Sequence, residues 1–135
     1  MTAKKFLSQA RFYKAMCRRL EDKIREIHED MEQVRGVSYD KIRVQAPAGD
    51  SLTHYVEQLT NYETMLRNAR ENYYESYNEI VNTIDALESP LHRQILAGRY
   101  LEGLSFLDIA EQLDRSLAYI QNQHGIALKK IKVFS

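Results

Sequence analysis

From Phe6 onward, apolar side chains recur at Phe6, Ala10, Tyr13, Cys17, Leu20, Ile24, Ile27, Met31 and Val34, a spacing of 4 and 3 that never breaks. Alternating fours and threes hold one narrow stripe on the same side of an α-helix. A strand cannot carry that period, because its side chains change face at every residue. The stripe predicts a single helix over about residues 3–34, roughly 48 Å long at the α-helical rise. An apolar seam of that length has to be covered by another helix.

The period then fails. "RGVSYDKIRVQAPAGD" holds two glycines and a proline, which predicts a loop over about residues 35–50 with room for a short extended piece. A second seam follows at Tyr55, Leu59, Tyr62, Leu66, Ala69, Tyr73, Tyr77, Ile80, Ile84 and Leu87, in a helix that Asp50 or Ser51 could cap. Two fours meet at Ala69, Tyr73 and Tyr77, a stutter that locally unwinds a supercoil. Two such seams joined by a loop predict an antiparallel, coiled-coil-like hairpin over residues 1–87, closing on itself or pairing with a second copy. Most of the tyrosines lie on the seam, which makes those core residues before stacking platforms.

After Leu87 the texture changes to short helices with strong start and stop signals. In "ESPLHRQILAGRYLEG", Ser89 is a cap, Pro90 stands at the first helical position where its missing N–H costs nothing, and Gly103 is a stop. Ser105 opens a second helix, with Asp108 three residues on as a near capping box, burying Phe106, Ile109, Ala110 and Leu113. Ser116 opens a third, with Ile120, His124 or Gln123, Ala127, Leu128 and Ile131 inward. Two helices across a tight turn, braced by a third, form a helix-turn-helix over residues 88–135, with Ala110 small enough for a close crossing. The fold class expected is therefore all-α.

In that geometry the last helix enters the major groove with its N-terminal residues foremost. Outward positions are Ala118, Tyr119, Gln121, Asn122 and Gly125, with Arg115, Ser116 and Lys129 near phosphates. Gln121 and Asn122 can each bond an adenine edge in two places, or serve as solvated surface. Gly125 inside a helix costs about 1 kcal/mol relative to Ala, which calls for close approach either to a phosphate or to a neighbouring helix. His124 reads as a half-buried packing residue, and Cys17 as a small core residue.

Charge sharpens this picture. Residues 51–87 hold two basic and six acidic side chains, whereas residues 115–135 hold Arg115, Lys129, Lys130 and Lys132 and no acidic one, within a chain of net charge zero. Four charges make a modest phosphate anchor. A composition of 44% hydrophobic and 28% charged residues excludes default disorder. No run approaches the roughly 18 apolar residues of a membrane span, and "MTAKKFLSQARFYK" lacks a signal peptide's apolar core, so a cytoplasmic protein without a membrane partner is expected. One cysteine and four histidines (His28, His54, His92, His124) lack metal-site spacing, and no Ser/His/Asp set or phosphate-gripping glycine loop is present. Neither a metal, a cofactor nor a catalytic residue is expected, and the chain is not read as an enzyme.

Residues 91–131, "LHRQILAGRYLEGLSFLDIAEQLDRSLAYIQNQHGIALKKI", resemble region 4 of bacterial sigma factors at Leu96, Arg99, Tyr100, Gly103, Leu104, Ser105, Ile109, Ala110, Leu113, Ser116, Ile120, Ala127 and Leu128. The longer plan of two heptad helices around "SYDKIRVQAPAGDS", ending in His124, Gly125, Ala127 and Leu128, is similar to sigma-like regulators of phages and prophages of Gram-positive bacteria, the ArpU and RinA neighbourhood. The resemblance implies transcriptional regulation through double-stranded DNA, with RNA polymerase as a further partner. The chain departs from the pattern at Asp114, where a turn glycine is usual, at Arg115, where an apolar residue is usual, and at Ile126, where a basic one is frequent.

Three readings follow. The first is a DNA-binding regulator, dimerised by its long helices so that two weak units act on two half-sites. The second is a small-terminase-type packaging protein, for which a ring of subunits is expected. The third is a protein-binding adaptor that does not touch DNA.

Overall fold

A computed structural model of the chain describes residues 1–41 and 48–132, with side chains over 1–34 and 52–132. Five helices carry the described residues: α1 (Ala3–Lys41), α2 (Ala48–Asp85), α3 (Pro90–Leu96), α4 (Phe106–Leu113) and α5 (Leu117–Lys130). Among the described residues there is no strand, and no helix is long and apolar enough to cross a membrane.

The long helices reach further than their seams. α1 runs on to Lys41 and α2 starts at Ala48, so most of the loop expected over residues 35–50 is helical. Residues 42–47, the rest of that expected loop, lie outside the described residues. Arg35 to Lys41 contains no proline, and the cost of Gly36, about 1 kcal/mol, does not stop a helix that is already propagating. Asp50 and Ser51 lie inside α2 and do not cap it.

Contacts divide the chain into two compact units, Met1–Lys14 with Glu71–Ser135, and Ala15–Arg70. In the second unit, Cys17 and Leu20 of α1 share a core with Leu66 and Ala69 of α2, flanked by Met16, Ile24 and Tyr62. Arg70 Nη2 meets Glu21 Oε1 at 3.3 Å beside that core. Burial pushes the Cys17 thiol above its ordinary range, with the Glu21 carboxylate adding to the effect, so the sulfur packs as a small apolar group. In the first unit, Leu7 and Ala10 share a core with Ile80, Ile84 and Leu87. Early residues of α1 thus meet late residues of α2 in the first unit, and in the second the middle of α1 meets the middle of α2. The seams are antiparallel and close within one chain.

Leu7 is fully buried although it lies off the heptad stripe. The reason is a third neighbour: the core around Leu7 and Ala10 also takes Leu96, Tyr100, Ala127 and Ile131 from the C-terminal helices. A helix end packed on two sides needs a wider apolar face than a two-helix seam provides. Each large aliphatic side chain buried there contributes about 1.5–3 kcal/mol.

Candidate nucleic-acid interface

The C-terminal helices are set by local signals. Ser89 Oγ accepts the His92 N–H at 3.2 Å with Pro90 next to it, and Arg93 Nη1 donates to Leu87 O at 2.6 Å, tying the start of α3 to the end of α2. Beyond Leu96 the helix widens into a π-turn over Ala97–Leu101, which Glu102 N–H closes on Ala97 O at 3.0 Å. Gly103, at φ +73°, then turns the chain. The tight spot in this region is Gly98, where a Cβ would come within 3.3 Å of Ile109 Cγ1. The Gly98 position goes unflagged by periodicity, and its only sequence signal is a glycine within a helical run.

α4 begins with a complete capping box. Asp108 N–H donates to Ser105 Oγ at 3.1 Å, and Ser105 N–H to Asp108 Oδ2 at 3.4 Å, so the shorter acid reaches. Its end is a left-handed residue, Asp114, at φ 53° and ψ 51°. Arg115 N–H returns to Ala110 O at 3.0 Å and Asp114 N–H to Glu111 O at 3.3 Å, the two bonds of a Schellman turn. Ile109 and Ala110 are buried against Ile95 and Ile120, with Leu91, Leu104, Phe106 and Leu113 packed around them.

Ser116 starts α5, its Oγ accepting the Tyr119 N–H at 3.1 Å. The hydroxyl proton remains available to an outside acceptor. The Arg115 guanidinium lies 5.4 Å from the Tyr119 ring centroid, a cation–π contact that orients two of the expected site residues together. Ala118, Tyr119, Gln121, Asn122 and Lys129 are exposed, as are Arg115 and Ser116, while Gly125 is half-buried. A Cβ on Gly125 would meet nothing within 4 Å, so no neighbouring helix requires a glycine there.

The inner side of α5 is fixed by Ile120, Ala127 and Ile131, and by two polar clamps that periodicity does not reveal. His92 Nε2–H donates to Gln123 Oε1 at 2.8 Å, and among the described residues Nδ1 of this buried ring has no partner. Tyr100 Oη meets His124 Nε2 at 2.8 Å with the rings stacked, and Phe106 sets its ring edge-on to His124 at 4.8 Å. The Arg99 guanidinium sits 4.4 Å from the Phe106 centroid and donates to Leu104 O. Burial pulls the His124 pKa below its ordinary value, and the charges of Arg99 and Lys4 add to that, so the neutral ring is favoured. Burial also pushes the Tyr100 hydroxyl up, against Arg99 and Arg11. The Tyr100 hydroxyl and the neutral His124 ring share one hydrogen bond, and the clamp joins α5 to the π-turn.

Among the described residues no group of His, Cys, Asp and Glu is placed to hold a metal ion. What the arrangement offers is a helix whose exposed face is mostly uncharged, with Gln121 and Asn122 beside the exposed Leu117, Tyr119 and Ile126, an arginine at its start and lysines at its end. No curated protein and no solved structure matches the chain. Residues 89–133, from the cap of α3 through α5, match the family model described as Sigma-70, region 4, so the C-terminal part is sigma-70 region 4-like, a helix-turn-helix of DNA-binding type.

Proposed function

We propose that the protein is a transcriptional regulator of the phage or prophage sigma-like kind, in the ArpU and RinA neighbourhood, that reads double-stranded DNA with α5. The observation that carries this reading is the exposed face of α5 within a region 4-like helix-turn-helix. Gln121 and Asn122 contact base edges, and Ala118 and Tyr119 contact the groove floor and wall. Arg115, Ser116 and Lys129 hold phosphates. The open space at Gly125 supports close approach of the DNA backbone there. In this reading residues 88–135 are the DNA-binding domain and residues 1–87 the oligomerisation region. Since the seams are filled within one chain, a second copy engages the outer faces of the long helices, and RNA polymerase is the further partner.

The test is the double variant Gln121→Ala with Asn122→Ala, on an operator obtained by selecting bound sequences from random duplex DNA. Binding to the selected site weakens by roughly 10-fold or more, about 1–3 kcal/mol for each bidentate pair removed, while binding to unrelated duplex stays nearly constant. Equal loss on both DNAs sinks the base-reading role. Solution mass settles the oligomer, with a dimer expected.

A further inference from the structure

The first twenty residues carry Lys4, Lys5, Arg11, Lys14, Arg18 and Arg19 and no acidic residue, a run of charge that the contrast between residues 51–87 and 115–135 leaves out. Within the compact unit that also holds the helix-turn-helix, Lys4, Lys5, Arg11 and Lys14 are all exposed on α1. The ion pairs among the described residues are Lys23–Glu26, Arg25–Asp22 and Arg70–Glu21, and none takes one of these four. Positions 4, 11 and 14 fall on one side of a helix, spaced by 7 and 3, while position 5 stands roughly 100° further round from position 4. Folding does not ask for this. Lys4 and Lys5 stand in the first turn, where the helix end is already positive and cations are disfavoured.

The location of this face gives it meaning. On its inward side, Ala3, Phe6, Leu7 and Ala10 share a core with Ala127, Leu128 and Ile131, so the start of α1 lies along the C-terminal half of α5. Met1, Phe6 and Gln9 line a groove together with Lys132, just beyond the end of α5, and with Glu79, Asn82 and Thr83 of α2. The positive charge of Lys4 reaches His124, one turn before Ala127. The basic start of α1 and the lysines that finish α5 therefore border one another.

We infer that the outer face of the first turns of α1, with Lys4, Lys5, Arg11 and Lys14, is a second contact surface for the phosphate backbone of DNA, continuous with the basic end of α5. This rests on the reading of α5 as a DNA reader and adds to it. An α5 whose middle is neutral supplies little sequence-independent affinity, and four exposed cations beside it supply what is missing. The complementary partner is a dense line of negative charge, and a duplex already seated on α5 brings one within reach.

The experiment measures the affinity of the full chain for a random-sequence duplex by fluorescence anisotropy over a range of salt concentrations. The wild type is compared with the fourfold Lys4→Gln, Lys5→Gln, Arg11→Gln, Lys14→Gln variant, whose substitutions are all on the surface. A control carries Lys4→Arg, Lys5→Arg and Lys14→Arg. The slope of log affinity against log salt shrinks by about 3–4 in the glutamine variant, at about 0.9 for each phosphate no longer neutralised, and is kept in the arginine control. An unchanged slope in a wild type that does bind duplex overturns the second surface alone. A wild type without any duplex binding overturns the reading of α5 and this surface with it. Phe12 of α1 and Met1, just before that helix, are 56% and 63% exposed, as a membrane-inserting face requires. Retention on phosphatidylserine-containing vesicles that is lost in both the glutamine variant and Phe12→Ala, with the DNA slope unchanged, overturns the proposal in favour of a lipid surface.

Discussion

Tyr100 Oη and His124 Nε2 lie 2.8 Å apart, with their rings stacked at a centroid distance of 5.7 Å. The pair ties α5 to the turn that precedes α4, and it works with a neutral histidine. Because the His124 pKa is pulled below its ordinary value near 6.5 in the fold, the unfolded chain takes up the proton first as pH falls. The contribution to stability is complete above that ordinary value and is lost as pH falls from there to the lowered one. Chemical denaturation of the wild type on acidification from about pH 7.5 to about pH 5.5 shows this decline. His124→Gln, which keeps a hydrogen-bonding group that does not titrate, shows a smaller one.

The left-handed backbone at Asp114 makes another prediction. Asp114→Gly removes the conformational cost of a side chain at φ 53° and raises stability by up to about 1 kcal/mol. Asp114→Val, β-branched at the same place, lowers it by about 1–2 kcal/mol. Denaturant midpoints at constant slope measure both. If valine is tolerated as well as glycine, the turn has another conformation in solution.

Two glycines in helical segments respond oppositely to the same substitution. Gly125→Ala meets nothing and stabilises the protein by about 1 kcal/mol. Its affinity for the selected operator falls, since the methyl group stands where the DNA backbone approaches. A variant that is more stable and binds equally well removes Gly125 from the interface.

At Gly98 the added methyl group lies 3.3 Å from Cγ1 and 3.4 Å from Cδ1 of Ile109, a buried and β-branched side chain with little freedom to move. Overpacking costs about 1–3 kcal/mol and outweighs the gain in helix propensity. Gly98→Ala is therefore destabilising, and thermal unfolding shows a lower midpoint.

Much of this fold is legible locally. The two seams, the caps at Ser89, Ser105 and Ser116, the stop at Gly103 and the small Ala110 are each specified by a few neighbouring residues and stand where their chemistry requires. The continuation of α1 beyond Val34 is not legible, because glycine weakens a helix without ending it. Leu7 is missed for a different reason: its burial comes from helices at the far end of the chain, and a heptad reports only one partner. At positions 123 and 124 the pattern offers one inward residue, yet both are half-buried, each held by a distant ring, His92 for Gln123 and Tyr100 for His124. Side-chain clamps between separate helices leave no period to detect. The outward residues of α5 are legible because capping and burial together fix its rotation.

The core that joins Leu7 and Ala10 to Ala127 and Ile131 has a consequence for how the protein is made. During synthesis α1 leaves the ribosome long before α5, and its widened apolar side stays uncovered until α5 has emerged. The C-terminal helices, in turn, acquire their full packing only on a helix already waiting for them. A product cut short before α5 leaves that core open, so the helix-turn-helix matures only in chains whose translation has carried through it.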